Sequence, residues 1–303
     1  MSVEKVLDKV YLIDTHGLGF ERCIGAYLIK DEKTALIDVG YASSINNLLA
    51  GIRAAGVNPS RIDYIVLTHI HLDHAGAVGK LVRISKKSLV KVHPKAVKHL
   101  IDPSRLISSV KEVYRTKAER FGEFLPVDRD RVQEVADEEE VELGSLTLRL
   151  YLTPGHAPHH ISAQLVEEGA LFCGDALSMK IPAFKHDIPQ TPPPSYVHEQ
   201  AVQSIKRFME LEVAVVLRPH YGPGKIHPSF FDDQVALLNW WRELVHKIMV
   251  DKPEKPFERA LKRYLEMVGE ERAPPFIDEH LRISFEGMVK YLKRLGTASS
   301  NSQ

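Results

Sequence analysis

The chain has 303 residues, 44% hydrophobic and 26% charged, the make-up of a folded globular protein large enough for one big domain or a domain with an appendage. Forty basic residues balance forty acidic ones, so no overall field favours nucleic acid or an anionic membrane as a partner. No apolar run approaches the ~20 residues of a membrane span, the first residues lack a signal peptide's order, and Cys23 and Cys173 cannot make a disulfide framework; a cytoplasmic location is the expectation.

Residues 6–13, 24–29 and 34–39 are β-rich, the last closing on Asp38-Val39-Gly40. A helix is predicted next, with Ser43 or Ser44 as N-cap, Ile45, Leu48, Leu49 and Ile52 on one face, and Gly56 as its stop. Ile65-Val66-Leu67 reads as a buried strand ended by Thr68-His69-Ile70-His71-Leu72-Asp73-His74. Residues 75–84 are predicted helical and 89–92 extended.

Residues 102–124 look inserted. Leu106, Ile107, Val110, Val113 and Tyr114 keep helical spacing, with Lys111, Arg115, Lys117 and Arg120 among them. That is the pattern of a surface helix with a solvated face; a lid, or a contact that makes a homodimer, are the alternatives. The run Asp137-Glu138-Glu139-Glu140 reads as a solvated turn before strands at 141–143 and 146–152. Residues 188–194 are Pro-rich and form a stiff connection, followed by a helix at 196–211 and an apolar strand at 213–217. From Ser229 onward the stripes are helical, such as Leu237, Leu238, Trp241, Leu244, Val245 and Ile248. These patterns divide the chain into a domain at 1–228, a helical extension at 229–296 packed on it, and a disordered polar tail at 297–303.

Four metal-competent side chains, His69, His71, Asp73 and His74, fall within six positions just past a strand, where a turning backbone can bring them to one point. Imidazole and carboxylate donors suit zinc, iron or manganese. Three later strands end the same way: Thr153-Pro154-Gly155-His156, Gly174-Asp175-Ala176 and Arg218-Pro219-His220. Glycine or proline permits a tight turn at each.

With these motifs the chain resembles the metallo-β-lactamase superfamily, in the branch that includes glyoxalase II, from residue 6 to about residue 223. The resemblance implies an α/β fold, an αββα sandwich of two mixed sheets flanked by helices, with the site on loops along one sheet edge. It makes His69, His71 and His156 ligands of one divalent ion, Asp73, His74 and His220 ligands of a second, and Asp175 the bridge. Zinc is expected, with iron or manganese as alternatives. Ions ~3.5–4 Å apart lower the pKa of a shared water towards ~7. The implied reaction is hydrolysis of a small-molecule thioester or similar activated ester, with Asp73 orienting the hydroxide and passing on its proton.

The chain departs from the family beside the ligands. His159 and His160 follow Ala157-Pro158, and Tyr221 stands where relatives commonly have glycine. With Lys180, these are the substrate-binding candidates. A tyrosine common beyond Asp175 in lactonases is absent, and the basic residues that hold glutathione in glyoxalase II have no match clearer than Lys180 and Lys185. A lactonase and an iron-dependent persulfide dioxygenase are the alternative activities. The nuclease branch is disfavoured by zero net charge, and the flavodiiron branch by histidine at 71.

Overall fold

The computed structural model describes residues 3–300, and side chains at all of these except 113–117 and 298–300. In chain order the elements are β1 Val3–Leu7, β2 Val10–Asp14, β3 Gly25–Lys30, β4 Thr34–Ile37, α1 Ile45–Ala54, β5 Tyr64–Val66, α2 Leu72–Ala75, α3 Val78–Ile84, β6 Leu89–Val92, α4 Val97–Ile101, α5 Ser104–Tyr114 and β7 Val132–Glu134. There follow β8 Glu139–Glu142, β9 Thr147–Leu152, β10 Ile161–Leu165, β11 Ala170–Phe172, α6 His198–Phe208, β12 Val215–Arg218, β13 Gly222–Lys225, α7 Phe230–Asp251, α8 Pro256–Val268 and α9 Pro275–Ser300. The chain divides into two compact units: Met1–Leu152, His159–Gly174 and Val213–Lys225 in the first; Thr153–Pro158, Asp175–Glu212 and Ile226–Gln303 in the second.

The first unit contains both sheets, and both are mixed, as expected. One runs β1 to β7 in chain order, with antiparallel pairing as far as β4 and parallel pairing from β4 to β7. The other runs β13-β12-β11-β10-β9-β8, with only β11 and β12 parallel. Ala35-Leu36-Ile37 of β4 and Ile65-Val66 of β5, which pair in parallel, are unbroken apolar runs because residues on both faces are buried. Helices α1, α3 and α4 bury Leu48, Ile52, Val78, Leu81, Val97 and Leu100 in one core with Leu28, Leu36, Ile65 and Val90 of the first sheet. A Cβ at Gly51 would lie 2.2 Å from Ile13, so glycine there lets α1 close on β2. Tyr27 of β3 ties the sheets together: its ring meets Phe172 of β11 edge-on at 5.3 Å, and its hydroxyl donates to the Arg218 carbonyl at 2.7 Å.

The expected helix at 75–84 is α3 from Val78 onward; residues 76 and 77 are a turn after α2, where the Ala77 N–H leaves the helical ladder for Gly40 O at 3.0 Å and a Cβ on Gly76 would come within 2.7 Å of Ala42 N. The acidic run is not all turn, since β8 begins at Glu139. Its carboxylates are answered by Lys91, 2.6 Å from Glu139, and by Arg149, 2.9 Å from Glu140. In the 102–124 segment, Leu106, Ile107 and Val110 pack on the first unit, and Phe121 stacks on Tyr41 at 5.3 Å. The side chains of Val113, Tyr114, Arg115 and Lys117 lie outside the described ones.

The second unit holds α6 to α9 together with the Pro-rich stretch, so its division from the first differs from a single boundary at residue 228. Within this unit α9 and α7 hold the Pro-rich stretch: Ser284 Oγ donates to Pro189 O at 2.6 Å, and Trp241 Nε1 donates to the Thr191 hydroxyl at 3.2 Å. Helix α9 continues to Ser300 and takes in residues 297–300 of the expected tail, while 301–303 lie outside the described residues. Among the described residues no helix is long and apolar enough to cross a membrane.

Candidate metal centre

In the first unit the site is built around Asp38, which follows β4 with a positive φ of 58° and is almost wholly buried. Its backbone N–H continues the ladder to Val66 O at 2.9 Å. Its carboxylate accepts from Thr68 N at 2.8 Å, from Thr68 Oγ1 at 2.8 and 3.0 Å, and from His74 Nδ1 at 2.8 Å. One buried acid thus fixes the end of β5 and the ring of His74. Asp38 was visible in the sequence only as a strand end; no local pattern signals its role 36 residues away.

The other rings are oriented in the same manner. A backbone carbonyl only accepts, so His220, whose Nδ1 lies 2.8 Å from Cys23 O, carries its proton on Nδ1. Thr68 Oγ1, donating to Asp38, receives His69 Nδ1 at 3.1 Å. His69, His74 and His220 therefore all turn Nε2 inward. His71, extended at the start of α2, presents Nδ1 instead, 2.9 Å from His69 Nε2.

These orientations determine the chemistry. His74 Nε2 and His220 Nε2 are 3.3 Å apart, and Asp73 Oδ2 lies 3.5 and 3.3 Å from them respectively. Two imidazole lone pairs and an anionic oxygen repel one another unless a cation lies among them. Nitrogen and oxygen donors held this way match a divalent ion, and the carboxylate–histidine pair Asp38–His74 is the support such a ligand needs. Cys23 contributes its carbonyl and not a thiolate: burial pushes its thiol up, and the charges of Asp73 and Asp14 add to the effect.

In the second unit His156 and Asp175 come together, Nε2 to Oδ2 at 3.4 Å, both almost fully buried. His156 Nδ1 faces the Gln190 carbonyl at 3.3 Å, again turning Nε2 inward. The turn before it is held by α6: Ser204 Oγ donates to Pro154 O at 2.7 Å, and a Cβ on Gly155 would strike the Ala201 backbone at 2.2 Å. His156 and Asp175 line a small cavity with Ser178, Gln190, Gln234 and Leu238.

The substrate-side candidates scatter. His159 lies beside the cluster, its ring 6.2 Å from His71 and 6.4 Å from His69. His160 is fully buried beneath His69, with ring centroids 5.3 Å apart, and packs against the Gly174 backbone; that is the position of a supporting side chain. Tyr221 packs beneath the Arg22 guanidinium, 5.1 Å from its ring centroid. Lys180 is exposed, 3.9 Å from Asp187, and Lys185 is exposed too.

A family model described as the metallo-beta-lactamase superfamily matches residues 25–220. This chain belongs to the metallo-β-lactamase superfamily. It is 34% identical over 225 residues, 72% of this chain and 80% of the relative, to the metallo-beta-lactamase fold-containing protein ST1585 of Sulfurisphaera tokodaii. The crystal structure of ST1585 superposes with a TM-score of 0.68 at 26% identity, covering 94% of this chain and 99% of that one. A hydroxyacylglutathione hydrolase of Francisella philomiragia is 28% identical over 49% of this chain and 48% of its own length. A rubredoxin-oxygen oxidoreductase of Megalodesulfovibrio gigas is 27% identical over 74% of this chain and 50% of its own length. The superfamily thus spans hydrolases and oxidoreductases, and this member carries a His/Asp cluster suited to divalent metal.

Proposed function

We propose that the chain is a metal-dependent hydrolase of small-molecule thioesters or similarly activated esters. The observation that carries this reading is the Asp73–His74–His220 cluster, where lone pairs and a carboxylate converge within 3.3–3.5 Å around the place of a cation. By family motif, His69, His71 and His156 would hold one ion, Asp73, His74 and His220 the second, and Asp175 would be shared; zinc is the metal this donor set favours. Such a pair supplies hydroxide at neutral pH and Lewis-acid stabilisation of a developing oxyanion.

The chain's own residues then do the rest. The other carboxylate oxygen of Asp73, the one not turned to His74 and His220, accepts the proton of the attacking water, whose oxygen bonds to the acyl carbon as the carbon–sulfur bond breaks. Asp73 returns the proton to the departing sulfur, giving acid and thiol. Asp38, Thr68 and the Cys23 carbonyl hold the imidazoles in one tautomer, so none has to reorient during turnover. No serine or cysteine nucleophile is required, in keeping with the raised Cys23 thiol.

The test pairs metal quantification on protein purified without added metal with a hydrolysis screen of thioesters, lactones and phosphodiesters. About two ions per chain and chelator-sensitive thioester cleavage are expected. Preference for lactones would move the reading to the lactonase. A second reading, oxidative chemistry, is favoured by the similarity to the rubredoxin-oxygen oxidoreductase. Iron alone, with oxygen consumed and no ester cleaved, would establish it in place of the first.

A further inference from the structure

The segment joining β2 to β3 does more than orient His220. Asp14, wholly buried, accepts the backbone N–H of His16 at 3.0 Å and of Arg22 at 2.8 Å. Thr15 clamps the far end, its N and Oγ1 reaching Ile24 O at 3.1 and 2.9 Å. Arg22 is thereby held at φ 53°, a left-handed conformation that non-glycine residues seldom adopt. Its neighbour Cys23 gives the carbonyl that holds His220. Its own guanidinium lies over Tyr221, the residue after His220, at 5.1 Å.

A guanidinium held over an aromatic ring still has N–H groups to offer, and its planar fork is the donor that matches a carboxylate. Arg22 is exposed, and among the described residues no carboxylate pairs with it. A buried acid fixes the Arg22 backbone and an aromatic ring lies under its guanidinium, so a cation without a salt-bridge partner among the described residues stands next in chain to Cys23 and over the neighbour of His220. A planar monoanion that can take two parallel N–H bonds is the complement, and a carboxylate is that group.

We propose that Arg22 is a specificity-determining residue that forks a carboxylate on the leaving group of the substrate. This rests on the hydrolase reading above and narrows it: the substrates are esters or thioesters of anionic thiols or alcohols. Tyr221 holds the guanidinium in place, and the carboxylate docks on the side of His220 and Asp73, where the leaving group takes its proton.

Metal-loaded wild type and Arg22→Met, in which the methionine still covers Tyr221 without charge, are compared on S-acetyl-mercaptosuccinate and S-acetyl-2-mercaptoethanol. The ratio of kcat/KM for the anionic over the neutral thioester is expected to fall about tenfold or more, chiefly through KM. Arg22→Lys is expected to restore part of the ratio, since it returns the charge and not the fork. Succinate binding, followed by calorimetry without turnover, is expected to weaken about tenfold in Arg22→Met. An unchanged ratio overturns the proposal, whatever succinate does. If wild type cleaves neither thioester, the hydrolase reading fails, and the succinate titration alone decides whether Arg22 is an anion site.

Discussion

Replacing Asp38 by asparagine tests the argument from tautomers. Asparagine tolerates the positive φ of 58° better than other non-glycine residues and keeps the side chain's shape, so the backbone should not move. Thr68 N–H, 2.8 Å away, can only donate, which forces the amide oxygen to face it. The amide NH2 then faces His74 Nδ1, where the carboxylate now accepts at 2.8 Å. Two donors cannot face each other, so His74 must move its proton to Nε2, the nitrogen aimed at His220. A ring protonated there cannot bind a cation. Loss of such a supporting carboxylate typically weakens metal affinity about 10–100-fold, or roughly 1.4–2.7 kcal/mol. Titration of the metal-free protein against a chromophoric chelator measures this directly, with a thermal melt to show that the fold survives. Wild-type affinity in a folded Asp38→Asn protein would refute the reasoning. Asp38→Ala is a poorer probe, because it strands three buried donors at about 1–3 kcal/mol each and can unfold the protein.

Asp73→Asn and His71→Ala are each expected to reduce hydrolysis to background with little change in the melt, because both side chains are half-buried and neither belongs to the apolar core; near-wild-type turnover with metal bound would contradict the proposed mechanism. Gly174→Ala should destabilise by about 1–3 kcal/mol in a urea titration, since its Cβ would lie 2.5 Å from His160 Nε2 at a φ of 53°. Ending the chain after Pro228 removes α7 to α9 and with them the partners of Pro189 and Thr191, so soluble expression should be lost; a soluble product with unchanged substrate range would show that these helices serve neither stability nor specificity.

The sequence made the metal motif plain because each of its parts ends an apolar strand, and Tyr64–Val66, Ala170–Phe172 and Val215–Arg218 are all there. Elements without a pattern of their own stayed hidden. Gly222–Lys225 reads Gly-Pro-Gly-Lys, with nothing β-like in it, and is a strand only because β12 pairs with it from Val215↔Lys225 to Arg218↔Gly222. Val132–Glu134 is too short for alternation to register. Ile161–Leu165 lies directly behind His159 and His160, and those histidines were legible as chemistry where the strand after them was not. Among functional residues, Asp38, Thr68 and the Cys23 carbonyl escaped for one reason. A supporting side chain is defined by what it touches, and a backbone carbonyl has no sequence signature at all. The division of the chain was hidden likewise, because α6 and the prolines before it look no different from the elements of the first unit.

The three-residue strand β5 carries a further consequence through Asp38. A strand this short could slide by one residue against β4 and β6 with little loss of pairing, but a slide by one turns every side chain to the opposite face. His69 would then point into the sheet's interior and Thr68 towards the cation. Asp38 forbids this by gripping Val66 O with its backbone and Thr68 N with its carboxylate, one bond on either side of Leu67. The same acid that tunes an imidazole therefore acts as the register stop of a growing parallel sheet. The nitrogens converge only where β4 and β5 pair in this register, so a chain misaligned by one residue would not gather them.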